Sequence, residues 1–282
     1  MTDEIMIKSY PHLETERQGA VLIIRLANEA ARNAITREIR FSLREVVREI
    51  QDDHSVRAVY LTAKGKTFCA GGDLRMLTDA HEPWQVHRRF QHASTIFQPL
   101  MELNRPVVCG VRGVAIGGGM GIALMCDQII VGESAQFNGG FFRLGVVPDC
   151  LTMYTLPRLI GLAQTRNFLF SGASWDAQQI VDKGLAVKVV PDEQVDVEGI
   201  ALARKLASGP AEVMGLAKQL LLKSFESSLS EMMSYEDLGQ VLAMSSAEFR
   251  EGLAALVEKR KPDYEGAAEA SGRSDGMPSS SS

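Results

Sequence analysis

Three consecutive glycines, Gly117-Gly118-Gly119, restrict this chain more than any other stretch, because they run through Met120-Gly121 into the apolar segment Ile122-Ala123-Leu124-Met125-Cys126. Upstream, Val107-Val108 reads as a short buried strand. Its passage through Gly113 into the glycines reads as a sharp turn into a helix N-terminus. The first N–H groups of a helix have no intrahelical acceptor, and residues without a Cβ let a substrate oxygen approach them closely. The same glycines serve close helix packing equally well, so the triplet by itself supports both readings.

The flanking sequence alternates strands and helices. Ala20 to Leu26 is a strand rich in Val, Leu and Ile, and Thr36 opens a helix with Ile39, Leu43, Val46, Val47 and Ile50 on one face. Val56 to Thr62, Val107 to Gly110, Gln128 to Val131 and Val187 to Val190 supply further strands, with helix-length segments between them. This alternation predicts an α/β sheet layered with helices. After Gln194 three helical patterns follow, Val195 to Ala207, Ala211 to Phe225 and Leu229 to Lys261, as expected of a helical appendage packed on the core or on another subunit. The predicted organisation is a core over 1–194, a helical C-terminal region over 195–266 and a disordered tail over 267–282 rich in Ala, Gly and Ser.

Several function classes fall away. A net charge of −5 argues against a dedicated nucleic-acid binder. Asp3, Glu4 and Lys8 interrupt Met1 to Tyr10, which lacks a signal-peptide core, and the uncharged run Gly113 to Cys126 is too short to span a bilayer; a soluble cytoplasmic protein is expected, with no membrane partner. Cys69, Cys109, Cys126 and Cys150 show no CxxC spacing, and His12, His54, His81, His87 and His92 add no metal-binding pattern, so free thiols and no metal site are expected. Gly65-Lys66-Thr67 would need a glycine at position 60 to form a P-loop, but Tyr60 stands there. Gly117 to Gly121 lacks the GxGxxG spacing of a dinucleotide fold.

Phe68-Cys69-Ala70-Gly71-Gly72-Asp73-Leu74, then Gly113-Val114-Ala115-Ile116-Gly117-Gly118-Gly119, then Cys126-Asp127 resemble the crotonase, or enoyl-CoA hydratase/isomerase, superfamily. The similarity extends from Arg32-Asn33-Ala34 through Gly145 to Pro148 to Arg250-Glu251-Gly252 and Glu258-Lys259-Arg260. It implies an α/β crotonase-type spiral of ββα units with a helical C-terminal trimerisation region. It also implies an acyl-CoA thioester as substrate partner, with coenzyme A part of that substrate and no separate cofactor. Two backbone N–H groups, matched to Ala70 and Gly118, would stabilise an enolate oxygen, the preorganised donors favouring charge that develops in the transition state. Arg32, Ala34, Gly72, Asp73 and Leu74 resemble positions along the CoA path, although Asn33 and Asp73 also suit turn or helix caps.

The chain departs from the hydratase pattern at both positions that carry its catalytic glutamates. Gly121 stands two residues after the third glycine and Phe141 four residues before the glycine of the Gly145-Val146-Val147-Pro148 turn, leaving no carboxylate pair to activate water. Asp149 is the remaining candidate. It matches the catalytic aspartate of dienoyl-CoA and 1,2-epoxyphenylacetyl-CoA isomerases, while an N-cap of a helix over Leu151 to Ile160 is the structural alternative. Burial would raise its pKa toward that of a useful base. Met120, Phe141 and Phe142 would line an apolar pocket that excludes water, or simply pack the core.

The expected activity is therefore an acyl-CoA isomerase shifting a double bond, with Asp149 as acid and base. A hydratase-like enzyme is one alternative. A 4-chlorobenzoyl-CoA dehalogenase-like enzyme is another, with Asp149 as nucleophile; its base histidine would align near Ser94, two residues from His92. A non-catalytic acyl-CoA-binding protein is the third. Apolar positions Leu216, Leu220, Leu221, Phe225, Leu253, Leu256 and Val257 predict contact with another subunit, in a homotrimer or a dimer of trimers.

Overall fold

A computed structural model of the chain describes residues 6–75 and 82–274. At the N-terminus, β1 (Met6–Tyr10), β2 (Leu13–Gln18) and β3 (Val21–Leu26) pair antiparallel in sequence order. The sheet then continues in parallel through β4 (Ala58–Ala63), β5 (Val107–Val111), β7 (Gln128–Gly132) and β10 (Lys188–Val190). A second, three-stranded sheet pairs β6 (Val114–Ile116) parallel to β8 (Gln136–Asn138), and β8 antiparallel to β9 (Ser174–Asp176). Parallel pairs need crossovers, and the helices that make them cover the sheet. This explains why every residue of β4 is buried.

Helix α1 (Arg37–Asp52) begins where the sequence predicts: Thr36 Oγ1 accepts the Ile39 N–H at 3.3 Å, and Ile39, Leu43, Val46, Val47 and Ile50 are buried. Each such side chain contributes roughly 1.5–3 kcal/mol when fully buried. Together with α2 (Pro83–Met101), α1 closes one face of the large sheet. Helix α7 (Val195–Ala207) closes the other, packing on β3, β4, β5 and β7. It approaches closely because Gly199 meets the Tyr60 ring, where a Cβ would stand 2.1 Å from a ring carbon. Although predicted as part of the appendage, α7 thus completes the core.

Beyond it lie α8 (Ala211–Lys223), α9 (Leu229–Ser245), α10 (Ala247–Glu258) and α11 (Tyr264–Ser274). The single helix expected over Leu229 to Lys261 is two, because Ser246 caps a new one by accepting the Phe249 N–H at 3.0 Å. The tail expected from residue 267 is helical as far as 274. A buried ion pair docks α10 on the core: Arg57 reaches Glu248 at 2.8 Å and also donates to the carbonyls of Ala207 and Gly209. Leu221, Leu229, Leu238, Val241, Leu256 and Val257 remain exposed on these helices, and Phe225 in the turn between α8 and α9. No helix among the described residues is long and apolar enough to cross a membrane.

Candidate active site

Three backbone segments distant in sequence lie side by side around the glycine triplet. Arg32 O accepts the Ala70 N–H at 3.0 Å and Gly71 O accepts the Ile35 N–H at 2.8 Å. On the opposite side Cys69 donates to Val114 O at 3.1 Å, and Ile116 donates to Cys69 O at 3.0 Å. Helix α3 (Gly118–Leu124) then starts at Gly117, whose φ of 53° and ψ of −118° require glycine. As the first helical residue, Gly118 has an N–H with no acceptor among the described residues.

The site gathers on this N–H. A Cβ built on Gly118 would lie 2.8 Å from Cys150 Sγ, 2.9 Å from Ile35 Cδ1 and 3.5 Å from Asp149 Oδ1. Asp149 keeps one side open to solvent. The protein packed round its other sides raises its carboxyl above the ordinary value, against smaller downward effects of the Cys150 thiol, its own backbone N–H and the Arg40 charge. It does not cap the helix that follows. Helix α4 (Thr152–Ile160) has Leu151 at its N-cap without a side-chain hydrogen bond, and Asp149 contributes only its backbone carbonyl, to the Thr152 N–H at 3.0 Å.

The structure reassigns Ala70. With its N–H given to Arg32 O, Ala70 has no donor left for a substrate oxygen. In the same loop the Gly72 N–H has no acceptor among the described residues, and a Cβ on Gly72 would project into open space. The other expected positions divide. Arg32 and Leu74 are exposed at the edge of the cleft and Ala34 is buried beneath it. Asp73 is held by both ends of the Arg75 guanidinium, at 3.0 and 2.9 Å, and that pairing lowers its carboxyl. Phe141 packs its ring about Gly117. Two pocket assignments are corrected: Met120 is fully buried in the main core, and Phe142 turns to Phe170, with ring centroids 5.6 Å apart. The side chains of His92 and Ser94 lie outside the described residues.

Gly121 explains part of the missing glutamate pair. A Cβ there would meet Cys150 O at 2.6 Å, Cys150 Cβ at 2.9 Å and Thr152 Oγ1 at 2.9 Å, so the turn after Asp149 occupies the space a side chain would need. Thr152 is fully buried there with its hydroxyl unpaired among the described residues, a cost of about 1–3 kcal/mol. Sequence reasoning missed Ile35, Cys150, Thr152 and Arg40 as neighbours of the site. The sole signal for them was position, one or a few residues from named motifs. Among the described residues no group of three His, Cys, Asp or Glu side chains is placed to hold a metal ion, and all four cysteines are free.

Comparison with known proteins shows the family of the chain. The family model described as enoyl-CoA hydratase/isomerase matches residues 16–267. The 1,2-epoxyphenylacetyl-CoA isomerase of Escherichia coli (strain K12) is 33% identical over 255 residues, covering 88% of this chain and 96% of that protein. The 2,3-dehydroadipyl-CoA hydratase of the same organism is 29% identical over 254 residues, covering 90% and 98%. A crystal structure of an enoyl-CoA hydratase/isomerase from Cupriavidus metallidurans CH34 superposes with a TM-score of 0.86 at 30% identity, over 91% of this chain and 97% of that one. With its ordered glycine motifs, its largely parallel sheet and a carboxylate bordering the first glycine of a short helix, the chain belongs to the enoyl-CoA hydratase/isomerase family, the crotonase superfamily.

Proposed function

We propose that this protein is an acyl-CoA isomerase that moves a double bond through a thioester enolate. The observation that carries the reading is that the Asp149 carboxylate borders Gly118, its Oδ1 3.5 Å from that residue's Cβ position, and the Gly118 N–H has no acceptor among the described residues, while Gly121 has no room for a second acid. Asp149 takes a proton from C2 of a 3-enoyl thioester and returns it to C4, so that the double bond moves into conjugation. One carboxyl serves both transfers, acting first as base and then as acid. The amides of Gly118 and Gly72 receive the dienolate oxygen. Their hydrogen bonds strengthen as charge builds, and losing one such donor typically costs about 3–4 kcal/mol.

Raising the Asp149 pKa brings it nearer to that of an acidified carbon, and the oxyanion donors close the gap from the other side. Phe141, buried at Gly117, puts an aromatic ring at the position of the second hydratase carboxylate. Hydratase relatives keep water addition as the second reading, although neither Gly121 nor Phe141 supplies an acid or base. The exposed faces of α8 to α10 support a homotrimer or a dimer of trimers.

Incubating 3-enoyl-CoA thioesters of several chain lengths in deuterated water tests the proposal. Double-bond migration is expected, with the C2 proton carried to C4 and deuterium entering there only as far as the Asp149 carboxyl exchanges with solvent, together with little hydration of the 2-enoyl product. Absence of migration at every length, or full activity in Asp149→Asn, overturns it. Efficient hydration would favour the second reading.

A further inference from the structure

We propose that Ile35 determines specificity at the substrate's reacting carbon: its terminal methyl walls the space beside the Gly118 amide, so that the site takes acyl-CoA thioesters unbranched at C2 and rejects those carrying a methyl there. The inference rests on the reading of Gly72 and Gly118 as the amides that receive a thioester oxygen, with Asp149 beside them.

Ile35 meets the two amides with different parts of itself. Its backbone pairs in parallel with Gly72, and its N–H is accepted by Gly71 O at 2.8 Å. Its side chain crosses to the other donor, with Ile35 Cδ1 2.9 Å from the Cβ position of Gly118. That position is two bonds from the Gly118 nitrogen, so the methyl stands beside the amide. The loop and the helix also approach each other directly, since a Cβ on Gly71 would lie 4.0 Å from the Gly118 nitrogen. Around Gly118 the other near atoms are Cys150 Sγ at 2.8 Å and Asp149 Oδ1 at 3.5 Å, and the Ile35 methyl supplies the aliphatic side of this ring.

The wall is a fixed one. Ile35 is 7% exposed and packs within the main core, its backbone is held at Gly72, and a β-branched side chain has little freedom at χ1. A thioester oxygen received by the two amides puts C2 two bonds away, and the proton that leaves C2 must face Asp149. The substituent that stays on C2 then lies against the Ile35 methyl. A hydrogen fits there, whereas a methyl group overpacks a contact that the core cannot widen. The same aliphatic surface offers the enolate oxygen no hydrogen bond and leaves its charge to the amides.

Two pairs of thioesters with equal carbon counts test the wall, because only the branching differs within each pair. Calorimetric binding to the full chain compares butanoyl-CoA with 2-methylpropanoyl-CoA, which requires no turnover. Kinetics compares 3-pentenoyl-CoA with 2-methyl-3-butenoyl-CoA. In the unaltered protein the branched member of each pair is expected to be disfavoured about tenfold or more, as one extra carbon in a closed apolar pocket commonly is. Ile35→Val deletes Cδ1 and keeps the β-branch, a change that cores tolerate, and should bring both ratios to within about threefold. Equal affinity for the two saturated thioesters, failure to bind either of them, or a binding ratio that Ile35→Val leaves unmoved overturns the proposal. The two readings separate: a binding ratio that collapses in Ile35→Val while neither 3-enoyl thioester is isomerised supports the wall and removes the reaction. Isomerisation of 3-pentenoyl-CoA together with equal binding of the branched and unbranched thioesters does the opposite.

Discussion

Two turns border the active cleft, each built from two consecutive non-glycine residues with positive φ, and they are held by opposite means. At Arg32 and Asn33, with φ of 50° and 53°, the lock is polar. The buried Asn33 amide accepts from the Asn28 N–H at 2.8 Å and donates to the carbonyls of Lys64 and Thr67 at 2.9 and 2.8 Å. At Cys150 and Leu151 no side chain of the turn itself caps the bend; beyond the bonds that Leu151 O accepts from the following helix, the turn is held by its fit against Gly118 and Gly121. The difference follows from what each turn presents. The first offers only backbone, through Arg32 O, and can be tied down by its own amide. The second presents the carboxylate proposed as the base, and a ring of strong donors around it would lower its pKa and oppose that role.

Asp149→Asn is the strongest test of this asymmetry and should reduce isomerase turnover by about a thousandfold, in the range lost with a general base, while acyl-CoA binding persists. Steady-state kinetics beside a binding titration checks it. Asn33→Ala should instead damage the frame. Three backbone groups lose their partner, and denaturant melts should show a loss of about 3 kcal/mol.

Gly121→Ala attacks the packed turn. Its new methyl would press on Cys150 O, which should cost roughly 1–3 kcal/mol in stability and a larger fraction of activity than of fold. Equal losses in both would show that the turn is not specially coupled to catalysis.

A smaller effect concerns pH. Because the folded Asp149 pKa is raised, its contribution to stability is full below the ordinary carboxyl value of about 4 and is lost as pH rises through the folded value. Asp149→Asn should therefore raise Tm near pH 7, and that advantage should vanish below about pH 4. Scanning calorimetry at the two pH values measures it. The smallest expected change is at Arg32→Gly, where relief of the left-handed strain at an exposed side chain should add about 1 kcal/mol or less, whereas Asn33→Gly next to it should destabilise.

Local pattern made much of this molecule legible. Thr36 and the apolar positions after it mark α1 through one cap and one periodicity, and the Val- and Ile-rich runs mark β3, β4, β5, β7 and β10. Strands β1 and β2 went unread because Lys8, Glu14, Glu16 and Arg17 give them a mixed surface pattern with little core signal. Met120 was read toward the cleft because a seven-residue helix that is buried all round has no polar face to orient it.

By itself the sequence determined the α/β alternation, the family through its ordered glycine motifs, the absence of both hydratase glutamates and the candidacy of Asp149, all properties carried by residue type and spacing. The tertiary structure decided which amide is free. Ala70 and Gly72 are two residues apart, and their difference lies in whether Arg32 O, nearly forty positions earlier, arrives to accept a hydrogen bond. It likewise decided that Gly121 admits no side chain, because the obstacle is Cys150 O, brought back by a left-handed turn some thirty residues later. Backbone partners and close approaches between distant segments leave no local mark in the residues they join, so only the folded chain could assign them.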